Sequence, residues 1–460
     1  MNAVAHSPSD LLFAARVQER GIQWSVIAQI CLAIIPTVVT IDFSMPRLGG
    51  EYLAFILLIL IGYHSIHRNR YKALSILFGC APVLIVMRGE FFYNGIIFFL
   101  LMCLGACIRE SWPEVRFVMK DPIWKWIGAL SLLYWFLTFA RTSYWANNIR
   151  IIEFALACAA FCLLANSRSY LATAFVGIAI SVSAYAIAML PYGVRLGEGD
   201  LDNGDTIGNP ILVGIPSALV ILLTLSDRGR YLLMESNWRG RIVLSLVAAQ
   251  WLILSTSRAS WVITAGGLIL IFIFNSQSRK SILILLILAG AISVAVLSTQ
   301  RGDSSQRYFD KTVDSNRSLA NRTNGRSDMW AALPKIFAVS PVWGWGGGSG
   351  ADVDKMYTGR HLLFHSLYLQ ILVETGLLGF IPLAIIIVAA VHRAVTHLCR
   401  QKELTPLIGI VAFILLGGTV SAFDITSGIL FGMALMAREY HPRMRAQRMW
   451  LRSADEVVIA

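Results

Sequence analysis

Three arginines and one histidine are the residues of this sequence best suited to chemistry on an anionic substrate. Arg195, Arg258, Arg326 and His365 each lie next to long apolar segments. Guanidinium groups form two-point hydrogen bonds with phosphate oxygens. A histidine, whose ordinary pKa is about 6.5, can accept a proton from a sugar hydroxyl at neutral pH. The four residues together predict a site for a phosphate-bearing lipid.

Arg195 lies in an acidic, glycine-rich segment over residues 190–209, where it is the only cation. A phosphate ligand would explain a cation in such a segment. An internal salt bridge with Glu198 or Asp200 explains it equally well, because exposed pairs of this kind are common and contribute little to stability.

Arg258 interrupts two apolar runs within a hydroxyl-rich segment, Ser-Thr-Ser-Arg-Ala-Ser, over residues 255–260. A charge held deep in a bilayer costs about 2–3 kcal/mol, so a functional partner is the favoured interpretation. The alternative is an arginine that reaches out to the membrane interface.

Arg326 follows Asn324 and Gly325 and precedes Asp328, a pattern typical of a helix N-terminus. An arginine there opposes the helix dipole unless an anion lies between them. The glycine-rich segment 341–350 comes next, and it lacks the Gly-Lys-Ser/Thr of a nucleotide-binding loop. We expect a flexible loop at that position.

His361 and His365 are four residues apart, which predicts that both imidazoles lie on one face of the helix that opens the next span. No third ligand occurs at a recognised spacing, so we predict no metal. A general base is the favoured role, and His365 is the nearer of the two to the membrane. Glu374 either ties helices together or orients the cationic cluster, and we favour the structural role. The same two roles remain open for Asp424.

The composition predicts that these residues are positioned by an all-α, polytopic membrane helix bundle. The sequence is 56% hydrophobic and 14% charged, with a mean hydropathy of +0.64, whereas roughly a quarter of a soluble domain is charged. Apolar runs of near-spanning length recur along the chain, and there are 12–14 of them, depending on whether neighbouring runs are bent helices. The runs cover residues 22–41, 50–66, 72–88, 91–108, 123–141, 149–166, 169–191, 208–226, 241–257, 259–277, 281–299, 364–392, 404–420 and 423–438.

The net charge of +12 follows membrane topology, which argues against nucleic acid as a partner. With a cytoplasmic N-terminus, 24 of the 39 lysines and arginines fall in cytoplasmic loops or tails. The chain then has three parts: a span-rich half over residues 1–299, a large external loop region with short helices over 300–363, and closing helices with a basic cytoplasmic tail over 364–460. The three arginines and His365 share the external side.

The order of these motifs resembles the bacterial O-antigen ligase/O-antigen polymerase superfamily. The resemblance covers about residues 190–380 and departs at Ser366, where the family often has asparagine. It rests on three stretches: Ser257-Arg258, then Gly325-Arg326 with Trp330, Pro341 and Gly344-Trp-Gly346, and then His365 with Glu374-Thr-Gly376-Leu-Leu-Gly379.

The resemblance implies a glycosyltransferase of the bacterial inner membrane with a periplasmic active site and no cofactor. Its donor would be a glycan on undecaprenyl pyrophosphate, and in the ligase branch its acceptor is a sugar of lipid A–core. Arg195, Arg258 and Arg326 would then hold the pyrophosphate, and His365 would activate the acceptor hydroxyl. We expect an O-antigen ligase with a metal-independent, inverting mechanism. The alternatives are a polymerase, whose acceptor is a second lipid-linked repeat, and a transporter of lipid-linked oligosaccharides.

Overall fold

The structure is a computed structural model, and within the residues that it describes the fold is helical without a β-strand. The described residues are 22–39, 58–67, 69–86, 90–141, 146–189, 210–226, 238–255, 257–297, 326–359, 361, 364–419, 423 and 425–436. They form α1 (Trp24–Val39), α2 (Leu58–His67), α3 (Arg70–Val86), α4 (Glu90–Met119), α5 (Pro122–Arg141), α6 (Ala146–Leu164), α7 (Arg168–Met189), α8 (Pro210–Leu225), α9 (Trp238–Ser255), α10 (Arg258–Phe274), α11 (Arg279–Leu297), α12 (Arg326–Val339), α13 (Gly350–Thr358), α14 (Leu367–Gln401), α15 (Thr405–Thr419) and α16 (Ile425–Leu435). The all-α membrane bundle expected from the sequence is therefore confirmed.

The outer surface of the bundle is apolar, which is the inverse of a soluble protein. On α5, Leu132 is 73% exposed and Phe136 is 64% exposed, while Tyr134 and Thr138 on the opposite face are buried. Among the described residues, two helices are long and apolar enough to cross a bilayer: Pro122–Ala140 within α5, and α14. If α10 and the helical stretch after it, which are bent by 115° relative to each other, form one span, there are three such spans. The described residues also include eight shorter apolar helices. The count of 12–14 spans stays a prediction.

Close helix packing is made possible by small residues on the inner faces. The helix pairs α3–α7, α8–α9 and α6–α16 pack extensively. Hydroxyl groups inside the bundle bond to backbone carbonyls, as Ser75 Oγ does to Tyr170 O at 2.9 Å. Small residues let helix backbones approach one another, and van der Waals packing of this kind stabilises helix association in lipid.

Helix α16 packs tightly against α6 at Gly428. A methyl group there would lie 2.7 Å from Ala157 Cβ and 2.8 Å from Phe154 O. We predict that Gly428→Ala lowers the free energy of unfolding by about 1–3 kcal/mol, because the backbones must separate. Thermal unfolding in detergent measures the loss. Gly418→Ala is the matched control on α15, where nothing lies within 4 Å of the added methyl; an equal loss in both variants would contradict the packing argument.

Candidate functional site

The centre of the candidate site is a break inside α14. Gly376 has φ 61° and ψ −158°, which is not helical, although the helix continues on both sides. In an unbroken helix the carbonyls of Val373 and Glu374 would accept from the amides of Leu377 and Leu378. The break separates these two pairs and leaves two donors and two acceptors to be satisfied.

The glycine-rich segment between α12 and α13 supplies a partner for each of the four groups. Buried backbone groups are costly to leave unpaired, by about 1–3 kcal/mol each, so these bonds explain how a broken helix persists at this point. The four bonds run from Trp345 N to Val373 O (2.9 Å), from Gly346 N to Glu374 O (2.8 Å), from Leu377 N to Pro341 O (2.9 Å) and from Leu378 N to Val342 O (3.2 Å).

The expectation of a flexible loop over residues 341–350 is therefore wrong. Gly344 and residues 346–350 are buried, and the loop backbone lies directly against α14. A Cβ atom on Gly344 would lie 2.5 Å from Glu374 C, and one on Gly376 would lie 2.4 Å from Val342 O. The glycines are needed here because both have positive φ and because only a hydrogen atom fits between the two backbones.

Glu374 connects three elements just before the break. Its carboxylate is fully buried and accepts a hydrogen bond from the Tyr134 hydroxyl of α5. Gln370 Nε2 donates to it at 3.0 Å from one turn earlier, and Gly350 N donates at 3.2 Å from the start of α13. Converging donors compensate a buried carboxylate for lost water. Glu374 therefore ties α5 and α13 to α14.

A small apolar core, called the external core here, is separate from the core of the main bundle. It packs α12 and α13 against the start of α14. Its buried members are Met329, Ile336, Val353, Phe364 and Val373. Two indole groups bond this core to backbone: Trp345 Nε1 donates to Ile336 O at 3.1 Å, and Trp330 Nε1 donates to Phe364 O at 3.3 Å. Phe364, the residue before His365, is therefore held by its side chain in this core and by its carbonyl at Trp330.

His365 is not part of a helix, and the expectation that His361 and His365 share one helix face is wrong. Helix α14 begins at Leu367, and His365 has φ 48°, in the left-handed region that favours glycine. The buried Phe364 fixes the chain on one side and α14 fixes it on the other, so the turn between them takes up the strain. Such strain is typical of functional sites. The imidazole of His365 is half-buried.

His361 lies apart from that turn, where its Nε2 is 3.2 Å from Asp352 Oδ1 in an exposed pair. Among the described residues, no three His, Cys, Asp or Glu side chains form a group that could hold a metal ion. A metal-independent reaction stays a prediction.

Arg258 begins α10 at the helix break that its hydroxyl-rich context predicts. Ser257 caps the helix by accepting from Ser260 N at 3.4 Å, and Ser260 Oγ bonds to Ser257 Oγ at 2.8 Å. The hydroxyl groups lie against α8, where a Cβ atom on Gly214 would be 2.4 Å from Ser260 Oγ. The serines are buried, while Arg258 extends outward and is exposed.

Helix α12 begins at Arg326 with Asp328 in its first turn, as the sequence predicts. Arg326 precedes Trp330 by four residues, so the two positions lie on one helix face about 6 Å apart along the axis. Because Trp330 bonds to the carbonyl before His365, the start of α12 lies on the His365 side of the external core. Arg195 and Asp424 lie outside the described residues.

Tyr134 and Gln370, which hold the buried carboxylate, are not predicted from the sequence. Tyr134 is an aromatic residue within an apolar span, where its spacing alone gives no signal. Gln370 precedes Glu374 by one helical turn, and a polar pair at that spacing in an apolar segment could have indicated a buried network.

The fold and site define an all-α membrane protein in which α12, α13 and the glycine-rich segment between them form a cap. This cap is held on the broken helix α14. Residues 242–384, about a third of the chain, match the family model described as O-antigen ligase. Over these residues the chain is similar to the O-antigen ligase family, which confirms the resemblance read from the motifs. The match includes Arg258, Arg326, His365 and Glu374. No curated protein matches the chain.

The tight contact at the break gives a direct test of the site's architecture. We predict that Gly376→Ala costs about 2–4 kcal/mol of stability, because the positive φ and the contact with Val342 O are both unfavourable for a side chain. Thermal unfolding of the purified protein measures the loss. Gly128→Ala on α5, where nothing lies within 4 Å of the new methyl, is the control. An unchanged melting temperature for Gly376→Ala would contradict the described contact.

Proposed function

We propose that this protein is an O-antigen ligase that transfers a glycan from undecaprenyl pyrophosphate to a sugar of lipid A–core. The proposal rests on the family domain over residues 242–384 and on one structural observation. His365 is held in a strained turn beside the start of α12, the helix that Arg326 begins. The nearness of this histidine to a cationic position supports a base and an anion-binding group at the same end of the external core.

The proposed reaction is one displacement at the anomeric carbon of the donor glycan. His365 accepts the proton of the acceptor hydroxyl as its oxygen attacks that carbon, the glycosidic bond forms, and the bond to the pyrophosphate oxygen breaks. The lipid pyrophosphate leaves with both bonding electrons. Attack opposite to the leaving group inverts the anomeric configuration.

The arginines would stabilise the charge that develops on the departing pyrophosphate. Arg258 is the first residue of α10 and Arg326 the first residue of α12, so each helix adds N–H groups near an anion at these positions. Positioned donors of this kind lower a barrier by roughly 3–4 kcal/mol each. Arg195 is the third proposed member. Guanidinium groups in this role do the work of a divalent ion, so we propose a metal-independent transfer in the inner membrane, with the site facing the periplasm.

A reconstituted assay distinguishes this proposal from a polymerase and from a transporter. Purified protein in lipid receives an undecaprenyl-pyrophosphate glycan, with or without lipid A–core, in buffer containing EDTA, and products are separated by gel mobility. We expect a product only when lipid A–core is present. Longer lipid-linked chains in its absence would identify a polymerase, and no covalent product in either arm would favour a transporter.

The role of His365 predicts that His365→Ala abolishes transfer, a loss of about 10²–10⁴-fold, while donor binding persists. His365→Asn is the second variant, because asparagine tolerates positive φ and tests the imidazole without adding backbone strain. Single-turnover rates and binding of the lipid-linked donor are measured separately. Impaired donor binding with an unchanged rate of the chemical step would rule out a base at this position.

The role of Arg258 predicts that Arg258→Lys stays impaired by about tenfold or more in kcat/KM, because an ammonium group cannot reproduce the guanidinium fork. Arg279→Lys is the matched control beyond the other end of α10, where the guanidinium bonds to the carbonyls of Phe272 and Ile273. Full activity of Arg258→Lys would mean that Arg258 only reaches to the membrane interface.

A further inference from the structure

We propose that the end of α14 opposite to His365 binds the phosphate of an anionic phospholipid headgroup. The basis is an open pocket of about 460 Å³ between the α4–α5 turn and the last turns of α14. Two adjacent rows of α14 line it at i, i+4 spacing. They are His392, Thr396 and Arg400 in one row and Arg393, His397 and Gln401 in the other, and Asp121 and Pro122 face them.

Arg393 is held in position for a ligand by a buried carboxylate. One of its terminal nitrogens pairs with Asp121 Oδ2, and Asp121 Oδ1 accepts from Ile123 N at 3.0 Å at the start of α5. Asp121 has no exposed surface, whereas the Arg393 side chain is 29% exposed. Within the described residues, no other acceptor takes the remaining N–H groups of Arg393, so a fixed guanidinium presents donors to the pocket.

The charge around the pocket favours an anion. Asp121, the acidic residue that lines the pocket, pairs with Arg393. Glu403 lies outside the lining, and its carboxylate is 3.0 Å from His397 Nε2. Arg400 is exposed on the pocket wall and forms no hydrogen bond or ion pair with the described residues. Exposed Lys120 precedes Asp121 in the facing turn, and exposed Lys125 lies in α5, four residues after Asp121. A phosphate at this point would meet Arg393 and Arg400 together, in the geometry that guanidinium groups provide for phosphate oxygens.

The surroundings identify the source of the phosphate as a lipid. Trp126 on α5 and Val395 on α14 are large, exposed apolar residues within two turns of the pocket. Tryptophan is typical of the level at which headgroups meet the hydrocarbon region. After its break, α14 runs from Leu377 to Gln401, 25 residues or about 37 Å at 1.5 Å per residue, so its last turns extend past a hydrocarbon core of about 30 Å. The pocket therefore lies where a phospholipid presents its phosphate.

Native mass spectrometry of the purified full-length protein tests this site. The protein in detergent is titrated with dioleoylphosphatidylglycerol, with dioleoylphosphatidylcholine, or with inorganic phosphate. We expect phosphatidylglycerol to bind about tenfold more tightly than phosphatidylcholine, and Arg400→Gln to remove that difference, because one charge-assisted contact accounts for it. Lys280→Gln is the matched control, since it removes an exposed cation from the start of α11, and it should keep the preference.

Three results would overturn the proposal. Equal binding of the two lipids would show that the pocket does not select an anionic headgroup. An equal loss in Arg400→Gln and Lys280→Gln would show that binding follows total charge rather than this pocket. Arg400-dependent binding of inorganic phosphate without a preference for phosphatidylglycerol would identify a soluble ligand. The measurement does not depend on glycosyl transfer, so its outcome is independent of the function proposed above.

Discussion

The exchange of hydrogen bonds at Gly376 is the constraint on which the architecture of the site depends. A helix inside a membrane satisfies its own backbone, and a break is tolerated only where other groups replace the lost partners. Here the amide groups of Leu377 and Leu378 and the carbonyls of Val373 and Glu374 all bond to the glycine-rich segment. The cap therefore cannot move away from α14 without leaving four backbone groups of α14, and their four partners, unpaired. The same bonds hold the segment that joins α12 to α13 against α14.

Rigidity at the break accounts for the strain at His365. Glu374 and Gln370 hold the first turns of α14, while Phe364 is enclosed by the external core and bonded by Trp330. The short connection between these two fixed points has to turn sharply, and His365 adopts a positive φ. A non-glycine residue in that conformation costs on the order of 1–3 kcal/mol. The surrounding contacts outweigh that cost and hold the imidazole half-exposed at a defined place.

Hydropathy and helix-start patterns predicted much of the fold, because both depend on local sequence. The helix that begins at Arg326, the break before Arg258 and the apolar bundle follow from residue types and spacing. The buried state of the glycine-rich segment did not, because it depends on backbone groups released far away in sequence at Gly376. The i, i+4 spacing of His361 and His365 was misleading for a related reason: the positive φ of His365 results from tertiary contacts of Phe364. Tyr134 was missed because its partner, Glu374, lies 240 residues further along the chain.

Two connections between α5 and α14 show how a site on one side of the bundle is supported through its whole thickness. Tyr134 bonds to Glu374 near the break, and Asp121 pairs with Arg393 near the other end of α14. Between them the two helices pack along their length. Glu374 and Arg393 are 19 residues apart, at most about 28 Å because α14 is broken at Gly376, and the hydrocarbon region is about 30 Å thick. A bilayer centred between the two polar contacts would have both near its boundaries, where burying a charge costs less than at its centre. The apolar segment between them needs no polar partner, so the broken part of α14 is held from α5 without placing a charge in the middle of the membrane.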